Sequence, residues 1–353
     1  MSRMANETYR IGIVGASSLA GKEVSDELAE SQLAASDFVL LDEEDTAGQV
    51  TATGDEVSFI QRLDAAAFER MDFVFFAGGA DATKKHWMDA RRAGASIIDL
   101  TYALESEKDV LVRAPWVTNA LAVKAPRSGK VPDLNTPAVV AAHPVVVMLG
   151  LVAARLQAKV PVASITATVM EPASEHGRLA MDELHQQTVN LLSFQSLPRE
   201  QYDAQVSFNL LPSLGEAAKV SLSMTERRIR QQYSMISEGD LPPLALQIVQ
   251  VPVFHGYVVS LLVELRKPAP LEQVEAALVG EHLDLVGSES APPSNLSAAG
   301  QEDIMVRVTE DPGMDEGTRF WLWLAADNLK LAALNAIACA GELRRLRPQG
   351  KVQ

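Results

Sequence analysis

The sequence predicts an α/β protein whose N-terminal half is a Rossmann-type, doubly wound parallel sheet and whose C-terminal half is a second, α+β unit. Three observations carry this. Ile11 to Gly21 turns an apolar strand into a loop and then a helix. Apolar strands and helical stretches alternate as far as Leu100. The length of 353 residues exceeds what a single core usually organises.

Ile11, Ile13 and Val14 read as a buried strand, Gly15 permits a tight turn at positive φ, and Lys22 to Ser31 reads as the first helix, its free N–H groups facing the loop. In the Gly-x-x-Gly-x-x-Gly variant of the dinucleotide motif only Gly15 and Gly21 remain, with Ser18 in the middle position. A nucleotide loop, with Gly15, Ala16, Ser17, Ser18 and Gly21 around the phosphates, and an ordinary strand-turn-helix both remain open. Asp37 to Leu41 is a second strand that runs into the acidic run Asp42 to Asp45, where an acid accepts from the adenosine ribose and repels a 2′-phosphate. NAD is thereby favoured over NADP, if any dinucleotide binds. Met71 to Gly79 is a further buried strand, and Gly78 and Gly79 at its end would let a cofactor approach the backbone. Asp81 to Ala93 reads as a helix stopped by Gly94, and Ala95 to Leu100 as another strand. Glu105 to Val140, with four prolines, is irregular and reads as the crossing between domains.

The second half opens with Pro144 in the first turn of a helix that runs to about Ala158. Val162 to Glu171 alternates as a strand, and Ser174 to Gly177 turns it into a helix ending near Leu192. Val206 to Leu210, Leu246 to Val253, Tyr257 to Leu265 and Phe320 to Ala325 read as strands, with helices at Ser223 to Tyr233 and Leu271 to Leu278. Gly287 to Gly300 is a long loop by composition, and Asn328 to Leu346 is an amphipathic helix.

The net charge of −15 argues against a nucleic-acid or anionic-membrane partner. Pro144 to Ala154, the longest apolar stretch, is too short to span a bilayer, and residues 1 to 8 lack the apolar core of a secretory signal, so a cytoplasmic protein is expected. The single cysteine, Cys339, excludes internal disulfides, and the scatter of six histidines speaks against a metal site.

Several stretches, in order and spacing, resemble the aspartate-semialdehyde dehydrogenase family over nearly the whole chain. They are Gly15-Ala16-Ser17 with Gly21, Phe75 to Gly79, Asp99 with Thr101, His143-Pro144, Phe208 to Pro212, Val251-Pro252-Val253 with Gly256, and Asp327-Asn328-Leu329. The resemblance implies a Rossmann-type domain over residues 1–140, completed by a C-terminal helix at 325–353 that returns to it. It also implies a catalytic-like, dimer-forming α+β domain over 141–324, hence a homodimer.

The family's chemistry uses a thiolate nucleophile, a histidine base, a nicotinamide and cationic groups for the substrate. By this resemblance the nucleophile falls on Val146, the histidine on Tyr257, an active-site glutamine on Glu171 and a substrate arginine on Gln250. The phosphate arginine falls on Glu105, and a cation persists at Arg228. Glu171 and Glu105 would suit a cationic or polyhydroxyl ligand. His255, two residues before Tyr257, would face the same side of an extended strand and could reach the pocket; the bland reading is a solvated loop histidine. The substitutions look most like the family's Usg-type members. They imply a noncatalytic or altered homologue acting as a binding protein for a partner or small molecule. The alternatives are an NAD(P)-dependent oxidoreductase that reduces an aldehyde or oxo group without a thioacyl intermediate, with Tyr257 or His255 as acid, and a nucleotide sensor.

Overall fold

The computed structural model describes residues 9–33, 37–43, 48, 50–53, 56–122, 131–312 and 317–347, and divides them into two compact units. Glu44 and Asp45 of the acidic run lie outside the described residues.

In chain order the elements of the first half are β1 (Arg10–Val14), α1 (Leu19–Glu30), β2 (Asp37–Asp42), β3 (Val50–Thr53), β4 (Glu56–Phe59), β5 (Gln61–Arg62), β6 (Phe73–Phe76), α2 (Ala80–Arg92), β7 (Ser96–Asp99), β8 (Leu111–Arg113), α3 (Pro115–Ala122) and β9 (Val139–Ala141). The second half holds α4 (Pro144–Lys159), β10 (Val162–Glu171), α5 (Arg178–Leu192), α6 (Leu222–Ser237), β11 (Leu244–Gln250), β12 (Tyr257–Leu265), α7 (Leu271–Leu278), β13 (Leu283–Leu285), β14 (Ile304–Glu310), β15 (Arg319–Ala326) and α8 (Asn328–Arg344).

The first unit is built on a seven-stranded sheet ordered β5-β2-β1-β6-β7-β9-β8, in which every pair is parallel. Period-two alternation sends Ile11, Ile13, Phe73 and Phe75 to one face, against Val24 and Leu28 of α1 and Ala333, Ala336 and Ala340 of α8. Val14, Val74 and Phe76 face the other way, against Trp87 and Ala90 of α2. Small residues let α8 lie close to the sheet, and Arg113 locks it there through two hydrogen bonds to Glu342, at 2.9 and 2.7 Å. Strand order reverses at β1, so the loops after β1 and β6 border the crevice where such sheets bind ligands.

The second unit carries a six-stranded mixed sheet ordered β11-β10-β12-β15-β14-β13. One face is covered by α4, α6 and α7, and α4 is buried nearly all round, from Pro144 to Ala154 without a break. The opposite face presents Thr166, Leu262, Trp321 and Trp323, of which Trp321 is 42% exposed.

The chain division differs from the boundaries expected at 140 and 325. The described residues from 116 to 122 group with the second unit, because Val117 packs on Gly150 of α4 and Trp116 stacks on His282 at 3.7 Å. The first turn of α8 groups with the second unit, and the helix joins the first from Ala332 onward. Val206 to Leu210 is not a strand: Phe208 has φ +55°, and the segment is a loop held by Gln187 Oε1, which accepts from the Val206 and Ser207 N–H groups. The stretch from 105 to 140, expected to be irregular, contributes β8, α3 and most of β9.

Candidate functional site

In the first unit, Gly15 has φ +83° and a Cβ there would lie 2.2 Å from Gly78 Cα. A Cβ on Gly21 would lie 2.1 Å from the Gly15 carbonyl oxygen. These glycines therefore let two loops and a helix start share one small volume. A Cβ on Gly79, by contrast, would meet open space.

The loop's own hydrogen bonds consume most of its donors. Gly15 and Ala16 donate to the Leu41 carbonyl, Ser18 N–H to the Gly15 carbonyl, and Gly21 N–H to the Ser18 hydroxyl that caps α1. Ser17 gives both its N–H (2.9 Å) and its hydroxyl (2.5 Å) to Asp42 Oδ2, and Glu43 N–H takes Asp42 Oδ1 at 2.9 Å. The remaining donors of the first turn are the N–H groups of Leu19 and Ala20. The shape fits a dinucleotide's pyrophosphate at a helix start, with Leu19 and Ala20 as its donors and Asp42 offering its last lone pair to a ribose hydroxyl. A nicotinamide bound there would supply hydride chemistry. Glu105 lies half-buried in the turn after β7, where its charge adds to the burial that pushes the Asp99 carboxyl up.

In the second unit Val146 is the third residue of α4, 1% exposed, with its N–H donated to the His143 carbonyl at 2.8 Å. His143 caps the helix: its Nδ1 accepts from the Val145 N–H at 3.2 Å. The opposite ring nitrogen, Nε2, is therefore the protonated one and donates to Glu175 Oε1 at 3.0 Å. The Tyr257 hydroxyl, at the start of β12, lies 3.4 Å from the same Nε2 and also hydrogen-bonds Glu175. Burial alone would raise the Glu175 carboxyl; His143, His176 and Tyr257 outweigh it and hold it below its usual range.

Glu171 ends β10 fully buried, and its Oε1 meets His176 Nε2 at 2.7 Å. Burial opposes a charged His176, but Glu171 and Glu175 more than compensate and raise it above its ordinary value. Gln250, the register partner of Glu171 on β11, spends its amide N–H groups on the carbonyls of Glu171 and Val251, both at 3.0 Å. Arg228 sits half-buried on α6. The structure thus gathers Glu171 with Gln250 and sets Tyr257 beside the cap of the helix that carries Val146.

His255 does not join them. Gly256 has φ +86° and breaks the extended backbone that would have aligned His255 with Tyr257; among the described residues the half-buried His255 ring has no hydrogen-bond partner. The cluster's histidines are His143 and His176 instead. Glu175, His176 and Gln232, whose Oε1 accepts from the His143 N–H at 2.7 Å, were missed by sequence reasoning. The one available signal was the placement of an acid and a histidine directly after the strand end at Glu171.

Cys339 packs fully buried in the core of the first unit, and burial pushes its thiol far up. Five buried polar atoms of the second unit, Glu171 Oε2, Gln250 Oε1, Tyr202 Oη, Asn328 Nδ2 and Arg307 Nε, have no partner among the described residues. Native interiors leave few such groups unpaired. Among the described residues, no group of three or more His, Cys, Asp or Glu is placed to hold a metal, and no helix is long and apolar enough to cross a membrane.

A parallel, doubly wound sheet with a glycine loop at its switch point, followed by a mixed sheet with a buried polar cluster, defines a two-domain α/β architecture of the Rossmann-type dehydrogenases. The chain belongs to the semialdehyde dehydrogenase family: its NAD-binding domain matches residues 10–125 and its dimerisation domain residues 153–331. The USG-1 protein homolog of Pseudomonas aeruginosa is 29% identical over 96% of this chain and 98% of its own length. The aspartate-semialdehyde dehydrogenase of Rickettsia bellii is 25% identical over 95% and 97%. The solved structure of a probable aspartate-semialdehyde dehydrogenase from Pseudomonas aeruginosa superposes with a TM-score of 0.82 at 26% identity, covering 96% of this chain and 99% of that one.

Proposed function

We propose that this protein is a homodimeric binding member of its family that performs no semialdehyde dehydrogenation. The observation that carries the reading is Val146. The position where the family resemblance places a thiolate, in the first turn of α4, holds a buried hydrocarbon. A helix start lowers a thiol's pKa, but valine offers no lone pair to attack with. Cys339 cannot substitute, being held in the other unit's core. At the base's position Tyr257 is buried and engaged with Glu175. Losing both nucleophile and base leaves no route to a thioacyl intermediate.

The dimer reading rests on the family's dimerisation domain and on the sheet face that presents Trp321 and Leu262 without a covering helix. If a dinucleotide binds, NAD is favoured, because the Asp42 carboxylate would oppose a 2′-phosphate.

An assay with aspartate semialdehyde, phosphate and NADP at high protein concentration tests the reading; turnover above contaminant level would overturn it. Titration with NAD and NADP separates the alternatives. A noncatalytic binding protein is compatible with flat titrations, a sensor requires binding alone, and a non-covalent oxidoreductase requires binding together with a reducible substrate.

A further inference from the structure

We propose that the adjoining ends of β10 and β11 form a subsite for a primary ammonium group, with Glu171 Oε2, Gln250 Oε1 and Tyr202 Oη as its three acceptors. This rests on the reading of the second unit's cluster as a binding site, and it assigns the ligand's chemistry.

Each of these atoms is buried and, among the described residues, without a partner, on side chains that are 0%, 1% and 0% exposed respectively. Glu171 and Gln250 face each other across the parallel ladder. Both amide N–H groups of Gln250 are spent on carbonyl oxygens, so turning the amide over would set oxygen against oxygen; Oε1 is fixed as the free atom. Glu171 Oε1 is taken by His176, which leaves Oε2. Tyr202 packs beside Ala173, two residues from Glu171, and burial together with the charges of Glu171 and Glu183 drives its hydroxyl to hold its proton.

All three atoms accept hydrogen bonds. An ammonium group brings three N–H donors and a positive charge. Glu171, paired with His176 through Oε1, presents its second carboxylate oxygen to that charge. A carboxylate or phosphate would place lone pairs against those of Glu171 and Gln250 in a buried site, whereas an amine donates to acceptors that are costly to leave unpaired. The arginine-to-glutamine exchange implied at Gln250 therefore reverses the site's polarity and makes it an acceptor.

The test uses the full-length protein in calorimetric titration and thermal unfolding, with ethylammonium, tetramethylammonium and propionate at constant ionic strength. Tetramethylammonium carries the charge without N–H donors, so it reports non-specific attraction to an acidic protein. A saturable response to ethylammonium alone is expected, weakened about tenfold or more by Glu171→Gln, the loss of one charge-assisted hydrogen bond. Should that variant misfold, Tyr202→Phe and Gln250→Met carry the test, each expected to weaken ethylammonium binding. Equal responses to both cations, stronger binding of propionate, or no saturable response, as for a site filled by water, would overturn the proposal. Turnover of aspartate semialdehyde would overturn the noncatalytic reading and leave the subsite standing; absent ammonium binding does the reverse.

Discussion

The hydroxyl of Tyr257 lies 3.4 Å from His143 Nε2, and both side chains are fully buried around Glu175. Tyr257 is thus a member of a packed hydrogen-bonded set, and exchanging it disturbs more than one proton carrier. The variant Val146→Cys with Tyr257→His is therefore expected to regain a reactive thiol without regaining full dehydrogenase turnover. Alkylation by iodoacetamide reads the thiol, and phosphate-dependent reduction of NADP reads the turnover. Activity equal to that of a working relative would show that the two positions alone silence the site.

The ion pair of His176 with Glu171 makes stability depend on pH. His176 is raised in the folded state, so its contribution is fully present below about 6.5, its unfolded value, and is lost as pH rises through the folded value. Glu175 is lowered, so its contribution is present above the unfolded value of 4.5 and is lost as pH falls. His176→Gln should cost roughly 3 kcal/mol near pH 6, as for breaking a buried pair, and should flatten the alkaline slope of Tm against pH. An unchanged slope would assign the pH dependence to other groups.

Gly15→Ala should unfold or detach the first loop, because φ +83° is strained for alanine and the added carbon would sit 2.2 Å from Gly78 Cα. A loss of more than about 2 kcal/mol in denaturant unfolding is expected. Gly79→Ala, with open space around it, should cost far less and serves as the control.

Asp42→Asn tests nucleotide choice. If a dinucleotide binds, tryptophan fluorescence titration should show NAD ahead of NADP by about tenfold in the native protein, with the ratio narrowing once the carboxylate charge is removed. Flat titrations with both nucleotides would leave the loop a structural turn locked by Ser17 and Asp42.

Trp321→Glu, on the uncovered sheet face, should shift the protein from dimer to monomer in sedimentation. An unchanged mass would place the dimer contact elsewhere.

Strands such as β1 and β6 were legible because a period of two, with both faces buried, leaves an almost wholly apolar run. Val206 to Leu210 carried apolar residues too, but its backbone is decided by a distant partner, Gln187, and a left-handed residue, Phe208. Strand β14 went unread although Ile304, Val306 and Val308 alternate at a period of two and are buried.

The sequence by itself determined the two-unit α/β plan and which side chains stand at positions 146 and 257, since side-chain identity needs no coordinates. Tertiary structure alone decided which groups meet. His143 with Glu175 spans 32 residues, and Gln250 with Glu171 spans 79, so no local periodicity could pair them. A single left-handed glycine, Gly256, interrupts the extended backbone between His255 and Tyr257, so the strand begins only at Tyr257. Burial then set the charges, because the energy of a carboxylate or an imidazole depends on which dipoles and ions replace its water, and that is settled only when distant segments pack together.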